Sequence, residues 1–119
     1  MVSWFEIPVI DMNRAQKFYE TVFKVSIRVE DFGGLLYGWF PPKPATESCT
    51  GALVKQESYV PSKTDGVLVY FASEDVANEL AIILKAGGNC CTRKNSNFSR
   101  NRLYGSFCGY GRKQDCFIF

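Results

Sequence analysis

Six residues carry whatever chemistry this chain can offer: Trp4, Glu6, Tyr37, Trp39, Leu68 and Tyr70. Trp4 and Glu6 stand two apart in an extended run, so with Pro8 they share one face of a strand. Tyr37 with Trp39, and Leu68 with Tyr70 and Ala72, repeat that spacing in two further runs. Apolar and aromatic walls with one carboxylate have the make-up of a small-molecule pocket. The same aromatics would equally serve as interior packing of a curled sheet, with Glu6 solvated at its mouth. The face that Tyr37 and Trp39 take is left open by the pattern.

Other chemistries find no support. The chain has no histidine, which removes the usual base for a cysteine nucleophile and the commonest nitrogen ligand for a transition metal. Glu6 has no visible partner acid, metal or nucleophile, so no catalytic residue is assigned. Gly33-Gly34, Gly87-Gly88 and Gly109 with Gly111 lack the strand-to-helix context of a phosphate-cradling loop. The five cysteines follow no framework spacing and suit reduced thiols. A bridge between the adjacent Cys90 and Cys91 would be strained.

The elements that must position these residues begin at the N-terminus. Phe5, Ile7 and Val9 form the apolar face of a first strand, opposite Trp4, Glu6 and Pro8. Asp11 has the character of a helix N-cap, and Ala15, Phe18, Tyr19, Val22 and Phe23 make one helical stripe behind it. Residues 26–32 and 35–40 read as a hairpin about Gly33-Gly34. Pro41, Pro42 and Pro44 then open a loop, which reads as a connector in preference to a lid. Residues 51–56 form a fourth strand, and residues 57–65 are a linker.

A second cycle follows. Residues 66–73 read as a strand, Asp75 as a cap, and Val76, Leu80, Ile83 and Leu84 as a helical stripe stopped by Gly87-Gly88. Asp11 and Asp75 are thus equivalent points of an internal repeat. The expected fold is α+β: two paired βαβββ modules, residues 1–57 and 66–119 of a single domain, with curled mixed sheets around a cleft and helices outside.

The first run, Trp4-Phe5-Glu6-Ile7-Pro8-Val9, Asp11-Met12, Arg14-Ala15, Phe18-Tyr19-Glu20 and Val22-Phe23, resembles the opening of the vicinal oxygen chelate superfamily. These are the glyoxalase, bleomycin-resistance and ring-cleaving dioxygenase relatives. The resemblance implies the same paired architecture and extends over residues 4–93. It also implies metal-ligand positions, which fall on Trp4 in the first strand and on Leu68 in the fifth. Neither side chain binds a metal, so no metal or other cofactor is expected.

Beyond residue 93 the resemblance stops, and the composition changes. Residues 1–93 carry a net charge of −2 and residues 94–119 a net +4, against +2 for the whole chain. With permitted codons for residues 94–119, removal of one A near Lys94 yields a frame that can read KTQISPEIGYMGHFVDTEGNRIALF. That string resembles the usual end of this family branch, though it too has Ala where the final carboxylate ligand would stand. The tail is therefore expected to be frameshifted, and its basic charge is not taken as a nucleic-acid signal. Residues 102–108 and 115–119 can still make a β-hairpin with its cations outside the core.

No apolar run approaches a membrane span, and no signal-peptide pattern is present, so a cytoplasmic protein is expected. The reading that best fits these residues is a metal-independent binding protein of the glyoxalase/bleomycin-resistance type, sequestering a small apolar or aromatic ligand, and forming a homodimer or higher oligomer. A glyoxalase-like lyase, with or without surviving activity, and a structural or assembly role are the alternatives.

Overall fold

In the N-terminal stretch, extended backbone gives way to helix at Asp11. The Asp11 carboxylate accepts from the Arg14 backbone N–H at 3.1 Å, satisfying one of the amide groups that a helix leaves unpaired in its first turn. The computed structural model describes residues 2–42, 49–62, 69, 71, 76–90, 106–108 and 116–118. The chain divides into two compact units, Met1–Pro61 and Ser62–Phe119.

The first unit runs β1 (Trp4–Pro8), α1 (Met12–Phe23), β2 (Arg28–Asp31), β3 (Leu36–Trp39) and β4 (Thr50–Lys55). This is the βαβββ order read from the sequence. The strands lie in the order β1-β4-β3-β2, with β1 parallel to β4 and the other pairs antiparallel, a mixed and open sheet. Alternation then divides the side chains between two faces. Phe5, Ile7, Leu53 and Gly38 belong to the face that receives α1, whose Met12, Phe18, Tyr19 and Val22 are buried. Tyr19 meets Phe40 edge-on at 5.7 Å. Burial of each large apolar side chain here stabilises the unit by about 1.5–3 kcal/mol relative to exposure.

Two close approaches fix that packing. A Cβ on Gly51 would collide with the carbonyl oxygen and ring of Phe5, its register partner on β1. A Cβ on Gly38 would stand 3.1 Å from both the Ile27 Cγ2 and the Met12 Sδ.

The chain leaves α1 through Lys24, a non-glycine residue in the left-handed region at φ 52°. Ile27 is then clamped by the helix itself: Gln16 Nε2 donates to the Ile27 carbonyl at 2.8 Å, and the Ile27 N–H donates to Glu20 Oε1 at 2.8 Å. The β2–β3 hairpin turns through Gly33 and Gly34, both at positive φ, and Asp31 Oδ1 accepts from the Gly34 N–H at 2.9 Å.

In the second unit the described elements are α2 (Val76–Lys85), β5 (Asn89–Cys90), β6 (Ser106–Cys108) and β7 (Cys116–Ile118). The helix ends in a Schellman arrangement: Gly88 N–H donates to Ile83 O at 2.9 Å, Gly87 N–H to Leu84 O at 3.4 Å, and Gly87 takes φ 90°. The helical stripe needs one correction. Ile83 is fully buried, but Leu84 is 60% exposed. Adjacent residues stand about 100° apart around a helix, so a face centred on Ile83 leaves Leu84 at its edge.

The tail forms an antiparallel hairpin, as its apolar runs suggest, with Phe107 opposite Phe117 and with β6 continuing onto β5. Apart from Val69 and Phe71, the residues expected as a strand over 66–73 lie outside the described residues, as do the cap Asp75 and the tail cations Arg100, Arg102, Arg112 and Lys113.

Candidate ligand-binding site

The face of the first sheet opposite α1 gathers four of the six residues singled out in the sequence. Register explains how. Glu6 on β1 and Trp39 on β3 are both partners of Ala52 on the intervening strand β4, and Pro8 and Tyr37 are both partners of Val54. Ala52 and Val54 are fully buried. Because Ala52 is small, the larger side chains of the flanking strands reach each other across β4. The Trp4 and Trp39 ring centroids are 5.5 Å apart, tilted by 54°, and Tyr37 stacks on Trp39 at 5.2 Å and 21°. Both separations fall in the favourable range for aromatic pairs.

Glu6 is the polar centre of this cluster. Its Oε1 accepts from the Tyr37 hydroxyl at 3.0 Å and from Trp4 Nε1 at 3.3 Å. The Tyr37 hydroxyl is held above its ordinary pKa, first by the hydrogen bond to Glu6, then by burial and by the negative charge of Glu6, with a smaller contribution from Tyr59. Trp39 Nε1 is buried and meets no acceptor among the described residues. An indole N–H is a donor only, so such burial costs about 1–3 kcal/mol unless an acceptor is supplied.

Two neighbours escaped the sequence reading. Phe32, at the hairpin tip, packs edge-on against Tyr37 at 5.9 Å and is 54% exposed. Tyr59, after β4, is close enough to act on the Tyr37 hydroxyl. The alternation of β2 carried no hint of the first, and a linker position carried none of the second. Leu68 and Tyr70 lie outside the described residues. On β2 the same face carries Arg28 and Glu30, whose Nε and Oε1 stand 2.9 Å apart as an exposed ion pair.

Neither the family models nor the curated proteins include a match to this chain. Solved structures do match. Glyoxalase I from Zea mays superposes with a TM-score of 0.74 at 15% identity, over 97% of this chain and 42% of the maize chain. A glyoxalase/bleomycin resistance protein from Albidiferax ferrireducens T118 gives 0.67 at 16% identity, over 99% of this chain and 95% of that one. The fosfomycin resistance protein FosX from Listeria monocytogenes, a mutant complexed with Mn(II) and 1S,2S-dihydroxypropylphosphonic acid, gives 0.66 at 14% identity over 99% and 89%. The chain has the vicinal oxygen chelate fold. It spans less than half the length of the maize enzyme.

The Mn(II) complex of FosX raises the question of a metal here, and the donor set among the described residues does not fit one. Trp4 and Leu68 stand where the resemblance places two ligands, and neither has a lone pair to offer an ion. Glu6 is a single carboxylate with one oxygen already accepting two hydrogen bonds. Among the described residues no group of three His, Cys, Asp or Glu side chains could hold an ion.

Proposed function

We propose that this protein is a metal-independent binding protein that sequesters a small, partly aromatic molecule on the face formed by Trp4, Glu6, Tyr37 and Trp39. The observation that carries this reading is the shared hydrogen bonding at Glu6 Oε1. It ties Trp4 and Tyr37 to one acceptor and so holds three aromatic rings in a fixed arrangement around a single carboxylate. A fixed aromatic surface contributes contact area with little loss of side-chain freedom on binding. Glu6 is engaged by two donors and has no acid partner among the described residues, which favours binding over proton transfer.

The chain is proposed to act as a homodimer. Both edges of the first sheet, β1 and β2, end without a further strand among the described residues, and a symmetric partner is a common means of covering an edge. A cytoplasmic location is proposed from the unframed cysteines. No described helix is long and apolar enough to cross a membrane.

The test is a screen of small aromatic compounds against chelator-treated protein, read by quenching of tryptophan fluorescence. Saturable binding that is lost in Trp39→Ala supports the proposal. Turnover of an α-ketoaldehyde thiol adduct on addition of a divalent metal would replace it with a glyoxalase-type lyase.

A further inference from the structure

The charge inventory of the aromatic face narrows the class of ligand. Among its described strand positions, β3 and β4 contribute Tyr37, Trp39, Thr50, Ala52 and Val54, none of them charged at neutral pH. On β2, Arg28, the one cation among the described strand positions of the face, is paired with Glu30 at 2.9 Å. What remains is Glu6, with the electron-rich faces of Trp4, Tyr37 and Trp39 around it. Its Oε1 takes both donors, and its Oε2 has no partner among the described residues.

We infer that this site takes a cationic organic ligand: an ammonium or amidinium group directed at the free oxygen of Glu6, beside an apolar or aromatic body stacked on the indoles. Three properties combine to this end. Aromatic faces attract a cation through their quadrupoles, indole most strongly. The carboxylate supplies a formal counter-charge and a charge-assisted hydrogen bond. An anionic ligand meets the opposite conditions, with one fixed negative charge and no unpaired cation among the described strand positions of the face to receive it. The aromatic contacts alone would also accept a neutral body, so the discrimination between charge types rests chiefly on Glu6.

The inference rests on the binding function proposed above, and one experiment separates the two. The protein is titrated at pH 7 with phenethylammonium, phenethyl alcohol and phenylacetate, which share a phenyl body and differ in charge. The indole Nε1 signals of Trp4 and Trp39, the only tryptophans in the chain, are followed by ¹H–¹⁵N NMR. Phenethylammonium is expected to bind about tenfold more tightly than the alcohol, and phenylacetate more weakly than both. Glu6→Gln, which keeps an acceptor for Tyr37 and Trp4, is expected to reduce that preference, read as the ratio of ammonium to alcohol affinity within the variant. Equal binding of all three probes overturns the cation inference and leaves the aromatic site standing. Tightest binding by phenylacetate, or an undiminished preference for the cation in folded Glu6→Gln, also overturns it. No movement of either indole with any probe overturns the inference together with the site.

Discussion

The Tyr37 hydroxyl reaches across the whole width of β4 to donate to Glu6 Oε1 at 3.0 Å, joining β3 to β1. The bond spans 31 residues of sequence, and the small Ala52 between the two strands lets it form. It predicts a pH signature. Tyr37 is held above its ordinary pKa in the folded state, chiefly by this bond. A raised folded pKa contributes stability below the unfolded value of about 10, and that contribution is lost as pH rises through the folded value. Absorbance titration should show a late-ionising tyrosine that Tyr37→Phe removes and Glu6→Gln shifts back toward the ordinary range. Denaturant midpoints should likewise fall faster above pH 10 in the parent than in Tyr37→Phe.

Trp39→Phe should leave stability within about 1 kcal/mol of the parent, because loss of indole area is offset by removal of a buried donor without an acceptor. Trp39→Ala should cost about 3–5 kcal/mol. Urea unfolding of the two variants distinguishes a packed indole with an orphan N–H from one whose N–H is satisfied.

The two ends of α1 should respond in opposite directions. Asp11→Ala removes the cap on the Arg14 amide and should cost about 1 kcal/mol. Lys24→Gly relieves a side chain held at positive φ and should add about 0.5–1 kcal/mol. Thermal melts of the two single variants, and of the double variant as a check of additivity, measure both.

Gly51→Ala should be among the most damaging single methyl additions available, since backbone of β1 occupies the space the methyl group needs. Loss of the β1–β4 pairing would release Glu6 from Tyr37. The variant should therefore lose the late tyrosine titration along with its stability.

The frame account of the tail predicts a run of A residues at the codons around Lys94. It also predicts that removal of one A restores the family-like ending. Nucleotide sequencing of the gene from its source decides this, and an A-poor stretch that cannot be rejoined in frame contradicts it.

The legible parts of the fold were those written in adjacent residues. The period-two run from Trp4, the Asp11 cap and the stripe through Phe18, Tyr19 and Val22 specify β1 and α1 locally, and the structure has them there. The site was legible only in part. Trp4 and Glu6 share a face by alternation, but the face taken by Tyr37 and Trp39 depends on the β3–β4 register, in which a one-residue slip would invert them. The Ile27 clamp by Gln16 and Glu20 had no sequence signature at all, because an exposed-looking pair on a helix gives no sign of which backbone it will meet. Leu84 was misplaced because helical spacing defines a stripe but not where its edge falls.

Whether an aromatic ligand binds here without a metal is decided by indole ¹H–¹⁵N NMR on chelator-treated protein during titration with an aromatic ligand, before and after addition of Mn²⁺ or Zn²⁺. Saturable shifts of both the Trp4 and Trp39 signals are expected, with the same affinity whether or not the ion is present. Binding that appears only once the ion is added would contradict it.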